Sequence, residues 1–186
     1  MPLEIELKYR VADHESVSEA LARLGFMPAG VVMEEDQYLN GADRDFAKTG
    51  EAFRLRREGT NYLFTYKGPK LPGIAKIRRE IEVQVTQSQE SATLLLELLE
   101  ALGFCPVAKV VKERAFFKGE WQGEEVTVCL DSIDSLGWFV ELEQLAEERH
   151  AESVCLRLRD LAGVLGLSEM ESKSYLALVL ERDRGE

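Results

Sequence analysis

A chain of 186 residues, 45% apolar and 31% charged, is long enough for one well-buried core and too apolar to remain disordered. Its formal net charge of −11 excludes the basic footprint that nucleic-acid binding requires, and no apolar run is long enough to cross a bilayer. Cys105, Cys129 and Cys155 form no CxxC pair, which argues for reduced thiols and against a disulfide frame or a zinc site. The N-terminus carries no basic region followed by an apolar stretch, so the expectation is a cytoplasmic protein with no membrane partner.

The first segment, EIELKYR (4–10), reads as a strand whose side chains alternate between two faces. Leu3, Ile5, Leu7 and Tyr9 line one face and Glu4, Glu6, Lys8 and Arg10 the other. A helix follows in SVSEALARLG, with a capping box at Ser16-x-x-Glu19 and a stop at Gly25. VVMEEDQYL (31–39) is the next strand, with Glu34, Asp36 and Tyr38 on one side. In EAFRLRR, Arg54 and Arg56 oppose Phe53 and Leu55; in NYLFTYKG, Thr65 and Lys67 oppose Phe64 and Tyr66. The loop KGPKLPGIAK lacks the spacing of a P-loop and reads as a hairpin connection where Lys70 meets an incoming anion. In AKIRREIEVQ, Lys76, Arg78, Glu80 and Glu82 share the face opposite Ile77, Ile81 and Val83.

SQESATLLLELLEALG is a helix with its stop at Gly103. In the strand KVVKERAFFKG, Lys112 and Arg114 share a face. EVTVCLD sets Cys129 and Asp131 opposite Val128 and Leu130, and GWFVELE sets Glu141 and Glu143 opposite Trp138, Val140 and Leu142. A helix runs roughly over 147–165, and Ser172 is placed to cap a last helix, KSYLALVLERD. His14 and His150 fall in helical surface contexts, no Ser or Cys has triad support, Trp138 reads as core and Trp121 as a turn residue. LGFMP (24–28) and LGFCP (102–106) echo each other, as do EIEL and EIEV, so the chain carries a strand–helix–strand repeat. The expected class is α+β with a largely antiparallel sheet in a single domain, 1–186.

An ionised face on nearly every strand has two explanations: a solvated outer layer, or the lumen of a sheet curled into a barrel with helices outside. The rows hold little except Arg, Lys, Glu and Asp, and the helical stripes need the apolar face, which favours the lumen. Like charges about 5 Å apart repel by roughly 3 kcal/mol at an effective dielectric near 20. Such clusters need mutual pairing or bound ions. Hard carboxylates suit Mg²⁺ or Mn²⁺, and Arg and Lys suit a polyphosphate. Metal plus polyphosphate uses both sets.

EIELK, RREIEV, KVVKERAFF, VTVCLDSIDSLGWFVELE and SKSYLAL together resemble the CYTH domain, or triphosphate tunnel metalloenzyme family, over essentially the whole chain; EIELKYRV and LGWFVELE are most similar to its class IV adenylyl cyclase branch. The resemblance implies a closed eight-stranded antiparallel β-barrel with pseudo-twofold symmetry, whose tunnel takes Mg²⁺ or Mn²⁺ and a small-molecule triphosphate, in a monomer or homodimer. Glu4, Glu6, Asp131, Glu141 and Glu143 then match metal positions, and Lys8, Arg54, Arg56, Lys67, Arg78, Lys112, Arg114 and Lys173 match phosphate positions. Glu4, Glu6, Lys8, Arg56, Lys112 and Arg114 carry the catalytic roles. Glu80 and Glu82 remain open between a second metal and structural pairing. Lys76 shares the face but matches no motif. The implied reaction is conversion of ATP to cyclic AMP and pyrophosphate. Hydrolysis of inorganic triphosphate, thiamine triphosphate or a nucleotide, and non-catalytic binding of polyphosphate or nucleotide, are the alternatives.

Overall fold

The computed structural model describes residues 3–69 and 76–185. Lys70 lies outside the described residues, and of Lys76 and Ile77 only the backbone is described. The fold is antiparallel, β-rich α+β. The described residues form two compact units, 3–32 with 76–78 and 112–173, and 33–69 with 79–111 and 174–185. Two long strands, β2 (Met27–Asn40) and β7 (Cys105–Trp121), contribute a segment to each.

In the first unit, β1 (Leu3–Val11) pairs antiparallel with β9 (Gly137–Ala146), β9 with β8 (Glu124–Ile133), and β8 with β7. The other edge of β1 is shared by β5 (Lys76–Arg78) near its start and β10 (Glu169–Met170) near its end. Period-2 alternation sends Ile5, Leu7 and Tyr9 to the same side as Val128, Leu130, Val140 and Leu142. These bury against α1 (Glu15–Arg23) and α4 (Ala151–Val164) through Val17, Leu21, Val154, Leu158 and Leu161, which form the core. The row of ionised residues on β1 therefore occupies the opposite face.

In the second unit the order is β7-β2-β3-β4-β6, where β3 is Ala52–Glu58, β4 Asn61–Lys67 and β6 Glu80–Thr86. A short α2 (Phe46–Thr49) precedes β3, and α3 (Gln89–Ala101) follows β6. Leu55, Tyr62 and Ala92 are buried together, with Phe64, Val85 and Leu96 packed on them. The last helix, α5 (Tyr175–Arg184), buries Tyr175, Leu178 and Val179.

The repeat is reproduced in local detail. Phe26 N–H donates to the Leu21 carbonyl and Phe104 N–H to the Leu99 carbonyl, both at 3.0 Å, each after a glycine at positive φ, Gly25 at 83° and Gly103 at 92°. Two helix starts differ from expectation. Ser16 does not cap α1, which begins at Glu15, two residues before a helix capped by Ser16 would; Asp13 Oδ1 accepts from the Glu15 and Ser16 N–H groups instead. Ser174 rather than Ser172 caps α5, by accepting from Ala177 N–H at 3.2 Å. His14 is half-buried, with Nε2 3.0 Å from the Phe139 carbonyl oxygen, and burial lowers its pKa. Trp138, expected in the core, is 47% exposed; it stands near the sheet end beside the Leu136–Gly137 turn. Trp121 closes β7 and donates from Nε1 to Asp160. Among the described residues no helix is long and apolar enough to cross a membrane.

Candidate functional site

Strand register assembles the ionised face of the first unit. Lys8 stands opposite Glu141, which stands opposite Cys129; Glu6 stands opposite Glu143, which stands opposite Thr127. Arg114 stands opposite Asp131, and Asp131 opposite Phe139. Glu4 faces Arg78 on the other side of β1. Parity alone put these residues on one side of their strands; pairing makes them neighbours.

Burial then makes the face costly to ionise. Lys8 is 2% exposed and Asp131 fully buried, while Glu6, Arg78, Lys112, Arg114 and Glu141 are also buried. Charges this far from water persist only when paired and hydrogen-bonded. Asp131 takes both forks of Arg114, Nε to Oδ1 and Nη2 to Oδ2 at 2.6 Å each, and Lys112 Nζ is 3.4 Å away. Burial works to raise the Asp131 carboxyl, but the Arg114 and Lys112 charges outweigh it and hold the group below its usual range. Arg114 also pairs with Glu141 and, at 3.3 Å, with Glu143, and Lys8 Nζ lies 3.8 Å from Glu141. Glu143 is the strained member. Burial raises its pKa first, Arg114 opposes that, and Glu4, Glu141 and Glu6 add to it, leaving the carboxyl at about 8.

Among the described residues no group of three His, Cys, Asp or Glu side chains stands in metal-holding geometry. The arrangement explains this: the Arg114 guanidinium binds Asp131, Glu141 and Glu143 at once. The donor chemistry nonetheless fits a hard divalent cation. Every candidate is a carboxylate oxygen, and crowding pushes Glu143 toward taking a proton where a cation would relieve the same repulsion. Cys129, on this face, is fully buried, and burial pushes its thiol up, so it is packed rather than reactive.

The second unit has its own ionised face. Asp36 binds Arg56 through Oδ1 to Nε at 2.7 Å and Oδ2 to Nη2 at 2.8 Å, and Arg54 through Oδ2 to Nη1 at 3.0 Å. Glu34 lies 2.7 Å from Arg56 Nη2. Lys67 pairs with Glu80, and Thr65 donates to Glu82 at 3.0 Å, as their opposed register positions allow. Glu34 and Asp36, absent from the expected site, are almost fully buried here. Their signal was legible, since they share parity on the strand preceding Arg54 and Arg56. Lys173 is exposed, and its N–H donates to Glu171.

The CYTH domain description matches residues 2–175. This chain belongs to the CYTH family. Within it, the chain is 35% identical to the MJ0240 protein of Methanocaldococcus jannaschii over 95% of its own length and 98% of that protein. It is 28% identical to adenylate cyclase CyaB of Aeromonas hydrophila, covering 94% of this CYTH chain and 87% of the relative. The solved structure of the PH1819 protein from Pyrococcus horikoshii OT3 superposes with a TM-score of 0.84 at 38% identity, covering 96% of this chain and 99% of that one.

Proposed function

We propose that this CYTH protein is a divalent-metal-dependent enzyme of the class IV adenylyl cyclase type, converting ATP to cyclic AMP and pyrophosphate. The observation that carries the reading is the buried row on the first unit, where Glu6, Lys8, Lys112, Arg114, Asp131 and Glu141 crowd one sheet face. A solvated face would leave such groups in water, and the repulsion from Glu4, Glu141 and Glu6 that helps raise the Glu143 carboxyl is what a bound cation would relieve. The likeness to adenylate cyclase CyaB supports the choice of reaction.

In this reading Glu4, Glu6, Asp131, Glu141 and Glu143 hold Mg²⁺ or Mn²⁺, which supplies neutralisation of phosphate charge when bound. Lys8, Arg78, Lys112 and Arg114 grip phosphate oxygens, Arg114 through a planar fork and the lysines as point charges. Arg114 exchanges carboxylate partners for phosphate oxygens as substrate enters. Phosphates oriented this way present the α-phosphorus to the ribose 3′-hydroxyl, and water must be kept from the same atom. Arg54, Arg56, Lys67 and Lys173 are assigned to phosphate binding by the family resemblance. Glu80 and Glu82 are assigned to holding Lys67 and Thr65, as their contacts support. The closed eight-stranded tunnel and a single functional domain belong to the same proposal.

The test is product analysis. The protein is incubated with Mg²⁺ or Mn²⁺ and, separately, ATP, inorganic triphosphate and thiamine triphosphate. Cyclic AMP with pyrophosphate, lost in Glu6→Gln while the circular dichroism spectrum is retained, is the expected result. Orthophosphate and a diphosphate instead would make the chain a triphosphatase, and full activity in Glu6→Gln would remove the metal assignment.

A further inference from the structure

β6 carries the second copy of the opening motif, EIEV against the EIEL of β1, yet the two strands are covered differently. β1 is paired along both edges, and its Ile5 and Leu7 are buried in the core with residues of α1 and α4. β6 ends the strand order: it pairs with β4, and no described strand lies along its other edge. Ile81 and Val83, the counterparts of Ile5 and Leu7, are 41% and 53% exposed. The helical layer beside them is thin as well. Ala92 alone of the α3 side chains is buried, while Leu94, Leu98 and, at the C-cap, Leu102 form a row more than half exposed. An open strand edge under an exposed apolar face is a template for one more strand.

The sequence of β6, EIEVQVT, fits its own copy. Two identical strands pair antiparallel about a twofold axis, and side chains stay matched face to face only when that axis passes through a residue. Through Glu82, it would set that carboxylate against itself, a destabilising like-charge pair. Through Gln84, it would leave Ile81 with no partner inside the strand. Through Val83, every position is matched: Val83 meets itself, Ile81 meets Val85, Glu82 meets Gln84 and Glu80 meets Thr86. The shift in register toward β4 falls between Gln84 and Thr86, outside the three central pairs. With a net charge of −11 on each chain, a self-complementary contact must keep carboxylates from opposing one another. This register does so.

We infer that β6 is the edge through which two copies of this chain associate, antiparallel about Val83. The sheets of the two second units then run on as one, with Ile81, Val83 and Val85 of both copies on the same side. The two α3 helices flank the axis on that side. The inference does not depend on the reaction proposed above.

The experiment is sedimentation equilibrium on the full chain as wild type, Gln84→Lys, Gln84→Glu and Val83→Lys, with circular dichroism as the check of folding. Wild type is expected at about twice the 21.0 kDa mass of the chain. Gln84→Lys places a cation opposite Glu82 of the second copy, twice per dimer, and Gln84→Glu places a carboxylate there. The first should tighten the dissociation constant and the second weaken it, each by roughly two- to thirtyfold, as two cross-strand charge pairs allow. Val83→Lys sets two ammonium groups against each other on the axis and should give a monomer. Gln84 is exposed, so its two variants decide the matter even if Val83→Lys fails to fold. A wild-type chain that stays monomeric at its highest soluble concentration overturns the inference. So does a dimer whose dissociation constant neither Gln84 substitution moves. The catalytic reading stands in both cases.

Discussion

Asp36→Asn isolates the cost of one buried carboxylate without altering side-chain shape. Asp36 is 2% exposed and accepts three charge-assisted hydrogen bonds, two from Arg56 and one from Arg54, whose side chains are themselves about nine-tenths buried. Removing one partner of a buried ion pair costs about 3–5 kcal/mol, because the remaining charge loses its counterion without regaining water. Here Glu34 still lies 2.7 Å from Arg56, so that arginine keeps one partner and the loss belongs near the lower limit, about 3 kcal/mol. For a chain of this length such a loss lowers the melting temperature by roughly 6–12 °C. Urea unfolding followed by circular dichroism measures it, with Asp183→Asn as the control. Asp183 pairs with Arg182 at the surface, where the two side chains are 54% and 43% exposed, and its loss costs under about 1 kcal/mol. A drop of less than about 1 kcal/mol in Asp36→Asn refutes the reasoning, since the network would then be solvated enough to screen itself. Addition of inorganic triphosphate should stabilise Asp36→Asn more than wild type if Arg54 and Arg56 bind phosphate.

Glu143 makes a pH prediction with a definite sign. Its folded pKa of about 8 lies above the unfolded carboxyl value, so its contribution to stability is complete below about pH 4.3 and is lost as the pH climbs through 8. In chelator, wild-type stability minus that of Glu143→Gln should fall across this window, and Mn²⁺ should flatten the fall; a flat difference in chelator contradicts the crowding. Gly119 sits against Phe26, and a Cβ there would come within 2.6–2.8 Å of ring atoms. Gly119→Ala should therefore cost about 1–3 kcal/mol in urea unfolding, as overpacking does. Gly163→Ala, in α4 with open space around the new methyl, should stabilise by about 0.5–1 kcal/mol. Equal effects of the two glycine substitutions would argue against the Phe26 contact.

How much of this was legible in the sequence follows from which forces are local. Alternation in EIELKYR, EVTVCLD and GWFVELE assigned each side chain to a face, because the backbone pleat imposes period 2 whatever the partner strand. The LGF turns announced two matching helix ends, since only glycine adopts their positive φ without strain. The candidate residues of the buried face in the first unit were all readable this way. Cap positions were less so: the caps of α1 and α5 each lie two residues from the serine expected, at His14 and Ser174, because where the first turn starts is decided by competing side chains such as Asp13.

What a single strand cannot encode is its partner. That Glu6 meets Glu143 and Lys8 meets Glu141 follows from pairing across more than a hundred residues, and that Arg114 gathers Asp131, Glu141 and Glu143 follows from how three successive strands, β7, β8 and β9, are set side by side. Glu34 and Asp36 looked like an ordinary acidic face until register set Asp36 against Arg56. Trp138 carried the parity of a core residue, yet it stands 47% exposed at the end of the sheet. The sequence by itself determined the class of fold, the family and the chemistry of the ionised faces, through local periodicity and residue type. Only the tertiary structure decided which charges neutralise which and which strand edge stays open, because Coulomb energy and burial depend on distances between strands that the chain order does not contain.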